Sequence, residues 1–234
     1  MLRFADLVPL PETTNDRRLS SVLCEADPTL ADALRLRGIE CACGEDMHVA
    51  VNVLDRAEEL LNTVPSLSFV VQSCIHEIIL LHAQDDAFDV SHSEPRWPNR
   101  IFVSVPRPSP VQNFRLAEAI VHEAMHLNLS AFERLIPLVV DRHFLKSPWR
   151  SEPRPAAGVL HGIYVFCCVY RFLGHLQARL PLGESARQHA VYRQIEIASQ
   201  LKSIDYCSLR TSLSSAGTSL LDDLLKMTNS NLNA

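Results

Sequence analysis

One short stretch of the chain has residue types and spacing suited to metal chemistry, the pentapeptide His122-Glu123-Ala124-Met125-His126. It lies within AEAIVHEAMHLNLSAFERL, where apolar residues recur at helical spacing, so the two imidazoles project from one face of a helix, one turn apart. Two imidazoles in this arrangement can bind one metal ion, and in zinc hydrolases the glutamate of the motif acts as general base. The motif therefore predicts a metal centre on this helix.

A reactive metal site usually has three protein ligands, so a third residue must join the histidine pair. Glu133 shares the helical face but lies about 10 Å beyond His126 at 1.5 Å per residue, so we expect a solvent-facing charge there. Phe132 occupies the position where a metzincin would place its third histidine, which excludes that class. His143 is interpreted as a surface or capping residue.

Two candidates for the third ligand stay open. Glu152 would complete the two-histidine, one-glutamate set of a gluzincin peptidase, but it stands in the proline-rich connector SPWRSEPRP. His161 interrupts the apolar run AAGVLHGIYVFCCVY, and a buried imidazole there needs a partner, either a metal or a backbone carbonyl. We favour His161, because the histidine pair already requires a third ligand and Gly162 would let the two helices pack closely.

The elements that must position these residues are mostly helices. The helix of the motif is predicted from about Phe114 to Pro137, and others over 46–64, 66–83, from Pro155 onward, 184–204 and 208–227. The stretch 66–83 is compatible with two strands, but its length favours a helix. FDVSHS and RIFVSV predict a short β-ribbon before the metal helix. The expected fold is mainly α, a single domain over 1–228 with a small β-ribbon, and 229–234 a disordered tail.

Composition narrows the function classes. A net charge of −5 without a lysine and arginine cluster argues against nucleic-acid binding. Seven cysteines, an odd number, and no signal-peptide pattern at the start predict a reducing, cytoplasmic location. The longest apolar run is shorter than the roughly 20 residues that a bilayer crossing needs, so no membrane is expected. Cys41, Cys43 and His48 could form a metal knuckle, but no second cysteine pair completes it, and loop cysteines are favoured.

Three blocks of the sequence together resemble a known family. FDVSHSEPRWPNRIFVSVP, LAEAIVHEAMHLNL and SPWRSEPRPAAGVLHGIYVF, in this order and spacing, resemble the bacterial HExxH-type 2-oxoglutarate-dependent peptide β-hydroxylases that modify ribosomally made peptides. The resemblance covers roughly 89–166, with a weaker likeness in LVPLPE near the start. The third block is the most specific, because HExxH peptidases are not expected to follow the motif with PWR, RP and GVLHG.

The resemblance implies an enzyme that uses iron(II) and 2-oxoglutarate to hydroxylate the β-carbon of a side chain in a precursor peptide. Three protein ligands and bidentate 2-oxoglutarate would leave one position of an octahedral ion for dioxygen. The implied metal ligands are His122, His126 and His161. This set departs from the usual two-histidine, one-carboxylate triad of such oxygenases. Under this interpretation Glu123 would orient a ligand or an ordered water.

The far carboxylate of 2-oxoglutarate needs a cationic partner, and Arg154 or Arg150 in the connector is the candidate. The alternative is an ordinary salt bridge or a solvated loop. Three polar residues of the ribbon could form hydrogen bonds with cofactor or substrate: Ser91, His92 and Ser93. The alternative is that they are ordinary polar residues of a hairpin without a binding role.

Two other functions compete with the hydroxylase. One is a zinc metallopeptidase with Glu123 as base and Glu152 as third ligand, and the other is a non-catalytic peptide-binding module with a vestigial site. Cleavage of a peptide without 2-oxoglutarate would select the peptidase. The non-catalytic module would be selected if the purified protein carried no metal and the variant His122→Ala kept its biological activity. The sequence contains no phosphate-binding glycine loop and no G-x-S-x-G elbow, which sets aside nucleotide enzymes and serine hydrolases.

Overall fold

The computed structural model describes residues 2–11, 17–82, 90–94 and 96–232, with side chains up to residue 228. Over these residues the chain is mainly α-helical, which confirms the predicted fold class. The helices are α1 Phe4–Leu7, α2 Pro28–Arg35, α3 Glu45–Asn62, α4 Pro65–Cys74, α5 Gln112–Glu133, α6 Ala156–Arg179, α7 Glu184–Lys202, α8 Tyr206–Thr211 and α9 Ser215–Leu232. The strands are β1 Leu23–Cys24, β2 Glu77–Leu81, β3 Ser91–Ser93, β4 Arg100–Ser104, β5 Phe144–Leu145 and β6 Arg154–Pro155.

Helix α5, which carries the HExxH motif, lies at the centre of the fold. It packs against α3, α4 and α6, and also against β3 and β4. One face of α5 is fully buried at helical spacing, and each large side chain on it contributes on the order of 2 kcal/mol to folding; these side chains include Leu116, Ile120, Met125 and Leu129. The motif therefore sits on a helix that is enclosed by neighbouring elements on several sides.

Helix α6 is a core helix that supplies the neighbouring wall. Its length and hydropathy would allow a membrane crossing, but 72% of its most apolar window is buried inside the protein. Packing against α5, α7 and α9 explains why it is apolar almost all round. The burial of α6 confirms the prediction that the apolar run AAGVLHGIYVFCCVY is part of a core helix.

A four-stranded sheet lies beside α5 in the order β1-β2-β4-β3. Strands β1, β2 and β4 run parallel, and β3 pairs antiparallel with β4. The ribbon expected before α5 corresponds to the β3–β4 pair, although residues 88 and 89 of its first segment lie outside the described residues. Asn99 supports the turn into β4 with a positive φ of 62°, a conformation that asparagine adopts more readily than most residues.

The stretch 66–83 is not one helix, which corrects the expectation from its length. Helix α4 ends at Cys74, and strand β2 follows over Glu77–Leu81. The run Ile-Ile-Leu-Leu is a buried strand between two parallel neighbours, and such a strand has no alternation to distinguish it from a buried helix. At the other end of the chain, helix α9 covers 229–232 of the segment expected to be a disordered tail, and residues 233 and 234 lie outside the described part.

Two further features hold the connector and the amino-terminal segment in place. The short pair β5–β6 aligns Leu145 with Arg154, so the proline-rich connector before α6 is fixed at its end. On the far side of α5, the Asn128 amide donates hydrogen bonds to the Leu7 carbonyl at 2.9 Å and to the Tyr164 hydroxyl at 2.7 Å. This buried amide ties α1, α5 and α6 together directly behind the motif.

Candidate metal centre

Helices α5 and α6 bring the three histidines predicted as ligands into one cluster. The ring centroids of His122 and His126 are 4.8 Å apart, and those of His126 and His161 are 5.5 Å apart. The two Nδ1 atoms of His126 and His161 are separated by 3.3 Å. Two imidazole nitrogens bound at about 2.1 Å to one ion, at an angle of about 105°, would show roughly this separation.

The electrostatics of the cluster favour neutral imidazoles, the form that binds metal ions. Burial lowers the pKa of His122 to about 4. Burial also lowers the pKa of His126 to about 2, and the neighbouring His122, His161 and Arg154 add to this effect. At neutral pH both motif histidines therefore have lone pairs available to a cation.

The cluster is only partly arranged for a metal. Within the described residues, no group of three or more histidine, cysteine, aspartate or glutamate side chains has its donor atoms already placed around one point. His126 and His161 present nitrogens to each other, whereas His122 meets His126 edge-on. The residue types and the pair distance fit a three-histidine site, and His122 is the ligand whose ring would have to adjust.

Glu133 was expected to face solvent, but its carboxylate lies against the cluster. Its Oε2 is 2.8 Å from His161 Nε2, and its side chain is 27% exposed. Helix α6 packs alongside α5 and brings His161 to the level of Glu133, so Glu133 meets the cluster through His161. A carboxylate that accepts a hydrogen bond from the second nitrogen of a ligating imidazole fixes that ring and raises its basicity.

We expect the substitution Glu133→Gln to weaken metal binding by about 10- to 100-fold, the usual cost of losing such an outer partner. An amide can still meet His161 Nε2, so the ring position is largely kept while the negative charge is lost. Anaerobic titration calorimetry with iron(II) measures the effect, and Glu152→Gln, at an exposed position, is the matched control. Equal affinities for the two variants would show that Glu133 has no influence on the site.

Glu123 is held by two serines of strand β3. Its carboxylate accepts hydrogen bonds from Ser91 Oγ at 2.7 Å and Ser93 Oγ at 2.8 Å. Burial raises its pKa to about 7, and the two serine hydrogen bonds oppose that shift. Each carboxylate oxygen thus accepts a hydrogen bond from one of the two serines that were predicted to contact cofactor or substrate.

His92, predicted together with these serines, has its ring on the other face of β3. It stacks on Phe102 at 4.5 Å with an interplanar angle of 7°, and burial lowers its pKa. Alternating side-chain directions along a strand explain why it separates from its two neighbours. The structure thus brings Ser91 and Ser93 to the motif but directs the His92 imidazole away from it.

A cleft of about 710 Å³ opens over the cluster. Strand β3 forms one side and α6 with its preceding connector forms the other, and the three histidines and Glu123 all line it. Arg134, Arg150 and Arg154 line it as well, and none of these three guanidiniums forms an ion pair or hydrogen bond with another described residue. Burial lowers the pKa of Arg154, and the charge of Arg150 adds to this, so the two cations lie near each other on the same wall of the cleft.

Two glycines on α6 make room for the residues of this wall. A Cβ at Gly158 would lie 3.2 Å from Arg154 Nε, and one at Gly162 would lie 2.3 Å from the Trp149 ring. The Trp149 indole stacks on Phe166 at 4.9 Å, and Phe166 meets the edge of His122 at 5.2 Å. The GVLHG sequence therefore brings an arginine, a tryptophan and the candidate ligand His161 to a single helix face.

We expect Gly162→Ala to destabilise the protein by about 1–3 kcal/mol, because the added methyl group overlaps the indole ring of Trp149. Displacing Trp149 would also break its hydrogen bond to Gln200 and its stack on Phe166. Urea unfolding measures the change. Gly183→Ala is the control, since a Cβ there meets nothing within 4 Å, and an equal loss in both variants would argue against the overlap.

Three other residues weighed in the sequence lie away from the centre. Glu152 and His143 are exposed and do not line the cleft, so Glu152 is not placed as a gluzincin ligand. Cys41 pairs with Leu81 in an isolated β-bridge, and its thiol is free.

Sequence reasoning missed a buried charge network behind His122. Glu118, one turn before His122 on α5, binds Arg193 Nε at 2.8 Å and lies 3.6 Å from His189 Nε2, both on α7. Burial alone would raise the pKa of Glu118. The interactions with His189 and Arg193 together have the larger effect, so the pKa of Glu118 is lowered. The signal available in the sequence was the spacing of four residues, which places Glu118 on the face of the motif histidines.

Comparison with known proteins adds no assignment. No protein-family model matches the chain, and no curated protein matches it.

Proposed function

We propose that the protein is an iron(II)- and 2-oxoglutarate-dependent oxygenase that hydroxylates a side chain, at the β-carbon, of a ribosomally made precursor peptide. The observation that carries the proposal is the meeting of His161 with the motif histidines, with Nδ1 atoms of His126 and His161 3.3 Å apart. The likeness of three sequence blocks to the HExxH-type peptide β-hydroxylases supplies the reaction. A cytoplasmic location belongs to the same proposal.

His122, His126 and His161 would hold the iron, and the bound iron with 2-oxoglutarate supplies the oxidising chemistry. The protein's own part is to bind, orient and enclose the reactants. Glu133 orients the His161 ring through Nε2, and the buried position of the motif histidines keeps their imidazoles neutral.

The cationic wall of the cleft supports a dicarboxylate as co-substrate. Arg154 is partly buried in the cleft, close enough to the motif for its charge to lower the pKa of His126. A cation held there, with no carboxylate partner in the part of the chain that the structure describes, is suited to bind the far end of 2-oxoglutarate. Arg150 is more exposed and adds positive potential at the mouth.

Glu123 supports the same assignment through its hydrogen bonds. Each oxygen of Glu123 accepts a serine hydroxyl, which fixes the carboxylate in place and suits a group that orients its neighbours. The carboxylate links α5 to β3, which fixes one side of the cleft against the helix.

The proposal is tested with protein purified without oxygen and loaded with iron(II). Adding 2-oxoglutarate and oxygen should yield succinate even without a peptide, and adding the correct peptide should raise this rate and give a product about 16 Da heavier. The variant His143→Ala should behave as the parent protein. Absence of succinate from iron-loaded protein would refute the proposal.

A zinc peptidase is the second candidate, favoured by one observation. Glu123 is adjacent to the ligand His122 and has a pKa raised to about 7 by burial, a value suited to a base at neutral pH. Zinc-loaded protein that cleaves peptides without 2-oxoglutarate would select this function.

A further inference from the structure

The outer edge of strand β3 borders the cleft. β3 is the last strand in the sheet order, and among described residues nothing pairs with its outer side. Ser91, His92, Ser93 and Glu94 all line the cleft. Successive side chains of a strand point to opposite faces, so a cavity that touches four consecutive residues must run along the strand's edge.

The hydrogen-bond pattern shows which main-chain groups this edge presents. Ser104 N donates to Val90 O at 2.8 Å, which makes this pair a hydrogen-bonded one in the antiparallel ladder. Such pairs alternate with non-bonded ones, so the next bonded pair is His92 with Phe102. The N–H and C=O groups of Ser91 and Ser93 therefore point away from β4, toward the cleft.

This edge runs beside the reactive centre. The hydroxyls of Ser91 and Ser93 reach Glu123, whose neighbour His122 belongs to the metal cluster. A segment lying along β3 would thus pass over the metal helix, facing the arginine-lined wall. The cleft, at about 710 Å³, has room for a peptide segment as well as a small dicarboxylate.

We propose that the substrate is a peptide bound in extended form, antiparallel or parallel to β3, through main-chain hydrogen bonds to Ser91 and Ser93. The inference rests on the proposed function only in taking a peptide as the substrate. Main-chain pairing supplies affinity with little dependence on sequence, while alternate side chains are directed to the metal helix and to solvent.

The test uses a pool of random dodecapeptides, selected for binding to iron-loaded protein under nitrogen with 2-oxoglutarate present. Ser93→Pro removes the outward N–H and places a ring on the edge, but keeps the His92–Phe102 ladder pair. Ser93→Ala is the matched control, because both variants lose the hydroxyl that binds Glu123. We expect selected peptides to bind Ser93→Pro at least about 10-fold more weakly than Ser93→Ala.

A second measurement needs no protein variant. Selected peptides are resynthesised with backbone N-methyl groups at every second residue, in both registers. One register should abolish binding and the other should spare it, because only alternate amides of an added strand face β3.

Equal binding to Ser93→Pro and Ser93→Ala, equal effects of the two methylation registers, or a pool without any binder would each overturn the inference. The readout is binding without oxygen, so it is independent of turnover. Peptides that bind the edge but are never hydroxylated would uphold the inference and count against the proposed function.

Discussion

The substitution His161→Ala should reduce iron(II) affinity at least about 100-fold and abolish succinate formation. In the proposed site this imidazole is the third nitrogen donor, and losing a direct ligand costs more than the 10- to 100-fold typical of an outer partner. The Nδ1 contact to His126 at 3.3 Å and the Nε2 contact to Glu133 at 2.8 Å both depend on it. Anaerobic calorimetry and metal analysis of the purified protein measure the loss.

His143→Ala is the control for this experiment, since His143 is exposed and outside the cleft. The zinc peptidase alternative makes the opposite prediction: Glu152→Ala should lose the metal and His161→Ala should retain it. Metal content in the two variants therefore separates the candidate functions before any substrate is known.

The second large effect is expected from Arg154→Ala, which should weaken 2-oxoglutarate binding about 100-fold or more. Truncating one partner of a partly buried, hydrogen-bonded charge pair costs about 2–5 kcal/mol, and Arg154 has no competing carboxylate among the described residues. Calorimetry under nitrogen, with iron-loaded protein, measures the dissociation constant without turnover.

Arg142→Ala, at an exposed position outside the cleft, should leave this constant unchanged. Arg150→Ala should have a smaller effect than Arg154→Ala, because Arg150 is more exposed and its charge is better screened. Unchanged 2-oxoglutarate binding in Arg154→Ala would remove the main argument for the dicarboxylate site.

Local patterns in the sequence predicted the parts of the site that depend on one helix or strand. The spacing of His122 and His126 placed them on one face of α5, and His161 stood out as a polar residue in an apolar helix that had to be buried. The period of two in β3 also separates His92 from its serine neighbours, although the sequence alone does not say which face meets Glu123.

The contacts between elements could not be predicted in this way. Glu133 is close to His161 only because α6 packs alongside α5, and no residue within α5 indicates that crossing. Strand β2 could not be recognised in its apolar run, because a strand buried between two parallel neighbours is apolar on both faces. Those neighbours, β1 and β4, are not adjacent to it in the sequence. No specific role could be assigned to Trp149 from the sequence, because its contact with Gly162 depends on how the connector folds back onto α6.

Residues 2–7 couple helix α9 to the helix of the motif. Leu2 and Phe4 are bonded through their main chain to Ser219 and Asp223 of α9, and Leu7 reaches Asn128, two residues past the motif. A substitution that displaces α9 would therefore disturb the helix of the motif through these contacts, although no described residue of α9 contributes to the wall of the cleft.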